Sequence, residues 1–303
     1  MLDRIFRSRT PPPNVARWTR KLVERIYEEH LVDSETMARV ESLGHRDTLS
    51  EYGYDPFGFH PEFLKWVVPI AALVYRRYFR VESFGLENIP DGPVLLIANH
   101  SGQVPVDAMM IVTGVLIDRD EPRAVRSMVE KWVPTLPFVS WFFARAGQIV
   151  GTRSNFRRLA AQGEAILVFP EGVRGISKTY DKAYQLQEFG LGFMRLALEN
   201  DLPIVPIAVI GAEEQAPSLY DFKALGKLLG MPAFPITPTF PLLGPLGLLP
   251  YPTRYRIHYG EPMQFSGDPD DEDRIIRDRV DLVKQAIERM IHDGLRNRKG
   301  IFF

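Results

Sequence analysis

Short apolar runs separated by turn-forming residues recur along the chain. They occupy residues 94–98, 124–129, 148–150, 165–169, 204–210 and 255–259. Between several of these runs the apolar positions repeat at helical spacing, as in residues 107–117, 155–162 and 189–199. Strands that alternate with helices indicate an α/β domain, in which helices flank a mixed and largely parallel sheet.

The residues that follow these strands are candidates for a functional site. Open α/β sheets bind their ligands beyond the carboxyl ends of the strands. His100 follows the strand at 94–98, and the sequence Pro170-Glu171-Gly172 follows the strand at 165–169. We therefore expect these two polar clusters to converge on one edge of the sheet.

The C-terminal segment, residues 266–303, predicts an amphipathic helix that packs on the domain. Asp268 is the expected N-cap and Pro269 the first helical residue, with acidic residues in the first turn. The apolar positions that follow share one helical face. They are Ile276, Val280, Val283, Ile287 and Ile291.

A first uncharged stretch, residues 66–75, lies between Lys65 and Arg76. As a helix it would be about 15 Å long, roughly half the hydrocarbon thickness of a bilayer, so it is too short to cross. Basic and aromatic residues flank it, which fits a helix lying in the membrane interface. A core helix of the N-terminal region fits the same pattern equally well.

A second uncharged stretch, residues 228–253, is 26 residues long but contains seven prolines. Each proline inside a helix costs about 3 kcal/mol, so a membrane-spanning helix is excluded. The sequence instead predicts an irregular apolar loop. It either folds over the core or meets lipid or an acyl chain, and any contact with a membrane would be at the surface.

Composition and charge narrow the functional classes. The chain has 303 residues, 45% of them hydrophobic, and a net charge of −1, which gives no reason to expect a nucleic-acid partner. Residues 1–26 hold seven basic and two acidic side chains, a segment that could lie on anionic lipid or form a solvated helix. With no cysteine and no signal-peptide pattern, we expect a cytoplasmic protein.

Two motifs at strand ends carry the candidate chemistry, namely NHSGQVPVD at 99–107 and FPEGVRG at 169–175. In the second, backbone amides and the Arg174 guanidinium could hold a phosphate or a carboxylate. Either motif alone fits a structural turn. Their order along the chain favours a site, whereas the nucleophile-elbow, zinc-protease and phosphate-loop motifs are missing from the sequence.

At this point the chain resembles the glycerolipid acyltransferase family, whose members acylate lysophosphatidic acid and other lysophospholipids. The resemblance covers roughly residues 85–262, and four blocks match in order. The blocks are NHSGQVPVD, GQIVGTR at 147–153, FPEGVRG, and LPIVPIAVIG at 202–211. It implies a glycerol-3-phosphate acyltransferase-like fold and phospholipid biosynthesis as the role.

The resemblance implies that an acceptor hydroxyl attacks an acyl thioester, carried by acyl-CoA or acyl carrier protein, with no metal or other cofactor. His100 would be the general base, since imidazole can accept a proton near neutral pH, and Asp107 would orient it. The residues matching the acceptor-binding blocks are Arg153, Glu171, Gly172 and Arg174. Asn99 and Gly102 could shape the loop or support the oxyanion.

The chain departs from the family in two places, one of them the second block, where Gly151-Thr152 stand in place of the usual aliphatic and acidic residues. Six residues separate His100 from Asp107, where the family usually has four, so the dyad requires a bulged loop that returns Asp107 to the imidazole. The retained Arg153 and Arg174 favour a lysophospholipid acceptor, such as lysophosphatidic acid. A neutral acceptor such as diacylglycerol, a thioesterase, and a lipid-binding scaffold without activity remain alternatives.

Three regions follow from this sequence. Residues 1–80 are expected to be a helical, basic and aromatic region that associates with membrane, residues 81–265 the catalytic α/β domain, and residues 266–303 the C-terminal helix. The expected partners are a membrane surface, the acyl carrier and the lipid acceptor. The expected location is peripheral or monotopic on the inner face of a membrane.

Overall fold

The structure is a computed structural model that describes residues 34–43, 49–101, 106–135, 139–228 and 234–302, together with Lys21 and Arg25. Most of the basic segment at 1–26 therefore lies outside the described residues. The expectation that this segment associates with membrane stays a prediction.

Seven strands form one mixed sheet, and two short strands form a separate antiparallel pair. The strands are β1 (Glu82–Phe84), β2 (Val94–Ala98), β3 (Val125–Val129), β4 (Ile149–Val150), β5 (Ala165–Val168), β6 (Ile204–Ile210), β7 (Tyr220–Asp221), β8 (Pro235–Ile236) and β9 (Arg256–Tyr259). The large sheet has the order β1-β9-β6-β2-β5-β3-β4. Its five strands from β6 to β4 are parallel, and β9 pairs antiparallel with β6. The predicted mixed and largely parallel sheet is confirmed.

Nine α-helices are described around these strands. They are α1 (Ser34–Ser42), α2 (Pro61–Leu73), α3 (Val106–Ile117), α4 (Val139–Arg145), α5 (Arg153–Ala161), α6 (Val173–Ile176), α7 (Gly192–Glu199), α8 (Lys223–Leu228) and α9 (Asp273–Asn297). A π-helical turn, Val74–Tyr78, continues directly from α2. Several of these helices lie between strands in the chain, as the helical spacing of apolar residues in the sequence predicts.

The two faces of the sheet pack against different helices. In β2 all five residues are buried, and alternate side chains face opposite sides because successive residues in a strand point in opposite directions. Leu96 belongs to the apolar cluster built with α2 and α3. Leu95 and Ile97 belong to the cluster built with α5, α7 and α9. β2 is thus covered by helices on both faces.

The first uncharged stretch is resolved in favour of a core helix. In α2 most of the apolar side chains are buried, among them Phe63, Trp66 and Val68. Even Lys65 is buried, with its Nζ 2.9 Å from Glu62 Oε1. Within the part of the chain that the structure describes, no helix combines the length and the apolar character needed to cross a membrane.

The C-terminal helix begins later than its sequence suggests. Helix α9 starts at Asp273, with Glu272 as the residue before it, whereas Asp268 and Pro269 were expected to open it. Asp268 instead stabilises a turn, where its Oδ1 accepts a hydrogen bond from Asp270 N at 2.8 Å. Asp268 therefore caps this turn and not the helix. The predicted start of the C-terminal helix is wrong. The five apolar positions of the helix are buried against the sheet.

Candidate active site

The candidate site lies where the central strands end. β2 is hydrogen-bonded in parallel to β5 on one side and to β6 on the other, so their carboxyl ends share one edge of the sheet. His100 lies two residues beyond the end of β2, and Glu171 lies three residues beyond the end of β5. The parallel pairing therefore brings together motifs that are about seventy residues apart in the chain.

The His100 and Asp107 side chains are in direct contact. Asp107 is the second residue of α3 and is fully buried, and its Oδ2 lies 2.7 Å from His100 Nδ1. The same oxygen accepts a hydrogen bond from Ser101 N at 3.0 Å, and Oδ1 accepts one from Ala108 N at 2.8 Å. Three donors thus fix the carboxylate, and the longer spacing still allows the pair to form.

An aromatic ring also packs on the face of the imidazole ring. The ring of Phe169, at the end of β5, stacks on it with a centroid distance of 4.1 Å and an angle of 26° between the planes. A ring whose Nδ1 donates to a carboxylate carries its lone pair on Nε2. The pair and the stacking together orient His100 for accepting a proton at Nε2.

The Glu171 carboxylate binds two backbone amides of the site. It is 2% exposed, its Oε1 accepts a hydrogen bond from His100 N at 2.9 Å, and its Oε2 accepts one from Gln187 N at 2.8 Å. Lys178 Nζ lies 3.7 Å from the same Oε2. With both oxygens engaged by protein donors, Glu171 positions His100, whereas the family resemblance implies a contact with the acceptor.

A buried ion pair lies behind Glu171. Lys178 Nζ is 2.8 Å from Glu213 Oε1, and both side chains are nearly inaccessible to solvent. Burial raises the pKa of Glu213, and the Lys178 ammonium partly offsets that rise. The chain Glu213, Lys178, Glu171 and His100 N forms a continuous polar network under the site.

Two glycines allow helix α6 to approach His100 closely. Gly172 has φ +56°, a conformation that favours glycine, and it precedes α6. At Gly175 a Cβ atom would lie 2.9 Å from His100 Cβ and 3.0 Å from Glu171 Cβ. Gly175 therefore has no room for any side chain unless α6 moves away from the histidine.

Asn99 fastens the end of β2, from which the site loop starts, to the neighbouring strand β6. Its side chain is fully buried, with Nδ2 donating to Val209 O at 3.0 Å and Oδ1 accepting from Val209 N at 2.7 Å. Both ends of the amide are thus used to fasten the end of β2 to β6. This supports the loop-shaping role expected for Asn99, and its alternative role at an oxyanion stays a prediction. Gly102 lies outside the described residues.

The two arginines expected to bind phosphate are both exposed. Arg174 is exposed, its Nη1 lies 3.2 Å from Glu188 Oε2, and its Nη2 donates to Glu188 O at 3.0 Å. Arg153 is the exposed first residue of α5. It lines a cavity of about 410 Å³ together with Arg157 and Arg195. Among the described residues, neither guanidinium makes a hydrogen bond or an ion pair with His100 or Asp107.

Three contributors to the site are not identifiable from the motifs alone. From the sequence, Phe169 is expected to be the last apolar residue of a strand. Gly175 is expected to be a turn residue, and Lys178 a charged residue at the surface. The signal in the sequence is that Phe169 and Gly175 are the first and last residues of the FPEGVRG motif and that Lys178 follows it closely. Among the described residues, no group of three or more His, Asp or Glu side chains is arranged to hold a metal ion.

Comparison with known proteins agrees with this geometry. Residues 80–210 match the profile of a family described as Acyltransferase. "Uncharacterized protein Rv0502" of Mycobacterium tuberculosis is 37% identical over 276 residues, which are 89% of this chain and 77% of the relative. The match with the "DGAT1/2-independent enzyme synthesizing storage lipids" of Gallus gallus has 27% identity and covers 63% of this chain and 54% of that protein.

A further relative carries a name with a defined reaction. The "Probable 1-acyl-sn-glycerol-3-phosphate acyltransferase" of Mycoplasma pneumoniae is 27% identical, and the match covers 52% of this chain and 60% of that protein. In the present structure the strands of all four sequence blocks end at one edge of the sheet, around the His100–Asp107 pair. The family profile, the relatives and this arrangement together show that the chain is an acyltransferase and belongs to the glycerolipid acyltransferase family.

Proposed function

We propose that this enzyme transfers a fatty acyl group from an acyl thioester to the hydroxyl of a lysophospholipid, with His100 as general base. The observation that carries the proposal is the 2.7 Å contact between His100 Nδ1 and Asp107 Oδ2. A base oriented in this way by a buried carboxylate suits the removal of a proton from an alcohol. The acyl donor is acyl-CoA or acyl carrier protein.

The proposed reaction proceeds through one tetrahedral intermediate. His100 Nε2 takes the hydroxyl proton as the acceptor oxygen forms a bond to the thioester carbonyl carbon. The carbon–sulfur bond then breaks, and the imidazolium returns the proton to the departing thiolate, which leaves as a free thiol. Asp107 stabilises the imidazolium between the two proton transfers, so the residues of the dyad end the cycle as they began it.

A phosphorylated acceptor is preferred because two arginines follow the strand ends. Arg153 and Arg174 are exposed, and a guanidinium can give a phosphate two parallel hydrogen bonds. Arg174 bonds Glu188, so an acceptor phosphate would have to replace that carboxylate. The Mycoplasma pneumoniae relative, named for acylation of 1-acyl-sn-glycerol-3-phosphate, supports this acceptor class.

A neutral glycerolipid such as diacylglycerol is the second candidate acceptor. It is supported by the chicken relative, which is named for the synthesis of storage lipids. Acylation of a phosphorylated acceptor should depend on Arg174, whereas acylation of a neutral acceptor should not. Replacing Arg174 by Gln should lower kcat/KM for lysophosphatidic acid by about tenfold, the loss of one charged hydrogen-bonding partner, and should leave monoacylglycerol unaffected.

The proposed location is the inner face of a membrane, because acceptor and product are both lipids. The enzyme would bind there from the cytoplasm as a peripheral or monotopic protein, with the acyl carrier arriving from the aqueous side. The exposed arginines and the basic residues at 1–26 would favour anionic lipid.

The reaction is tested by measuring thiol release from acyl-CoA and from acyl carrier protein. The acceptors are lysophosphatidic acid, lysophosphatidylcholine, monoacylglycerol and diacylglycerol, each with the wild-type enzyme and with His100→Ala. We expect release that requires a lysophospholipid and disappears in the variant, whose thermal midpoint stays near that of the wild type. Release independent of any acceptor would instead indicate a thioesterase. Binding of lysolipid without release from either donor would indicate a scaffold.

A further inference from the structure

Exposed apolar side chains are concentrated in one part of the molecule. We define the leucine surface as the exposed residues Leu219, Tyr220, Phe222, Leu242, Leu243, Leu246, Leu248 and Leu249. Leu242 is 85% exposed, Leu246 69% and Tyr220 62%. They belong to two segments of the insertion between β6 and β9, and the uncharged stretch 228–253 supplies five of the eight.

The insertion starts and ends at the edge of the sheet that carries the dyad. β6 runs parallel to β2, and its last residue, Ile210, pairs with Arg256 at the start of β9. The chain therefore leaves the sheet and returns to it beside the end of β2, close to where His100 follows. The leucine surface and the catalytic pair thus extend from the same edge of the sheet.

The loop that carries the leucines satisfies its own backbone. Leu243 N donates to Thr239 O at 2.8 Å, Gly244 N to Pro241 O at 2.8 Å, and Leu249 N to Leu246 O at 3.2 Å. The Thr239 hydroxyl donates to Gly247 O at 2.9 Å. Irregular backbone is costly in an apolar medium when its polar groups are unpaired, and these bonds reduce that cost.

The loop is packed and fastened at its base. A Cβ atom on Gly247 would lie 2.4 Å from Thr239 O, so this turn packs directly on the preceding segment of the loop. Tyr251 N donates to Gln215 O at 2.7 Å, and the Tyr78 hydroxyl donates to Pro250 O at 2.6 Å. The leucines therefore project from a firmly held base.

Positive charge lies next to this apolar surface. Arg76 and Arg77 are exposed and immediately precede Tyr78, which contacts the loop. Arg80 donates to Pro252 O at 2.6 Å, which places a third guanidinium beside the loop. Leucines that project beyond a rim of arginines match the interface of an anionic bilayer, with apolar chains inside and negative headgroups above them.

We propose that the leucine surface inserts into the interface of an anionic lipid bilayer and so holds the catalytic edge of the enzyme at the membrane. This inference rests on the proposed function in one respect. If the acceptor is a lipid, insertion of the leucine surface gives that lipid a short path from the bilayer to His100. The occupant is the lipid itself. A second copy of the chain is the alternative that the experiment separates.

The test uses the natural absence of cysteine from the chain. An environment-sensitive dye is attached to the full chain through Leu242→Cys and, as a matched control, through Leu282→Cys on α9, where the leucine is 50% exposed. Vesicles contain equal parts of phosphatidylcholine and phosphatidylglycerol. We expect the emission at position 242 to shift to shorter wavelength on addition of vesicles, and the emission at position 282 to stay unchanged.

Co-sedimentation with the same vesicles gives an independent readout. Leu242→Ser combined with Leu246→Ser should weaken binding by about tenfold or more, since each inserted leucine contributes on that scale, while Leu282→Ser should not. Bound protein without a shift at position 242, or no binding, overturns the proposal. A shift that appears without vesicles and grows with protein concentration also overturns it, in favour of a second copy. Because neither readout requires turnover, failure of the proposed acyl transfer would be seen separately.

Discussion

Glu171 illustrates how a buried carboxylate can act on a reaction through another residue. Both of its oxygens bond backbone amides, one of them that of His100. Glu171→Gln keeps the shape and one acceptor oxygen, so we expect kcat to fall by roughly tenfold, with the KM for the acceptor unchanged. Steady-state kinetics with varied acceptor checks this. A raised KM at constant kcat would mean that Glu171 contacts the acceptor directly.

Glu171→Ala is the more severe change at the same position. It leaves the amides of His100 and Gln187 without their acceptor, at about 1–3 kcal/mol for each unsatisfied buried donor, while Lys178 keeps only Glu213 as its partner. We expect a clear drop in the thermal midpoint in addition to lost activity, measured by calorimetry beside Glu171→Gln. Equal midpoints for the two variants would contradict the buried network.

At the residue scale the motifs identify the reacting groups but not their support. His100 and Asp107 follow from a histidine and an aspartate after a buried strand, together with the family resemblance. Phe169 and Gly175 do not, because stacking and close approach depend on which strands are neighbours. Arg174 reads as a phosphate ligand, yet only the fold reveals that Glu188 lies against it.

At the element scale, the placement of α6 against His100 depends on Gly175. A methyl group there would lie 2.9 Å from His100 Cβ, so α6 or the histidine must shift. We expect Gly175→Ala to lower kcat by about 10- to 100-fold, since small displacements at a reacting centre have effects of that size. Gly92→Ala is the control, because its methyl group would meet no atom within 4 Å. Wild-type kcat in Gly175→Ala would show that the packing does not orient the base.

Periodicity in the sequence predicts some of the strands and helices and misses others. β2 and β6 lie at the predicted residues because long buried runs of branched apolar side chains leave few alternatives. β1 and the β7–β8 pair were not predicted, since strands of two or three residues hold no full alternation. The start of α9 was misplaced because Asp268 caps a turn with the chemistry of a helix cap.

At the scale of the whole molecule, two apolar stretches with similar composition have opposite surroundings. Residues 66–75 lie mostly inside the core within α2, whereas the leucines at 242–249 are exposed. Composition alone cannot separate these cases. Helical continuity allows α2 to bury one long face, while the prolines and glycines of the second stretch keep it in turns at the sheet edge.

Stability should depend on pH through the half-buried histidines His60 and His258. Burial and the neighbouring Arg256 lower the pKa of His258 below 6.5, and burial lowers the pKa of His60. At a pH near these pKa values the unfolded chain therefore holds more protons on these rings than the native state does. The free energy of unfolding should therefore fall as the pH drops from about 7.5 through the ordinary histidine pKa of about 6.5.

Urea unfolding across this range checks the pH effect. His258→Gln removes one of the two titrating groups, so the slope of unfolding free energy against pH should be smaller than in the wild type. His292→Gln is the matched control, because His292 is 70% exposed. Equal slopes in the wild type and His258→Gln would show that His258 takes up its proton equally well in the folded and unfolded states.

The central claim is that His100 and Asp107 act as one unit, and a double-mutant cycle on kcat tests it most directly. Asp107→Asn keeps the shape but removes the charge, so kcat should fall by roughly two to four powers of ten. His100→Ala should fall at least as far, and the double variant should be no slower than His100→Ala alone. Wild-type kcat in Asp107→Asn, or losses that multiply in the double variant, would contradict the dyad.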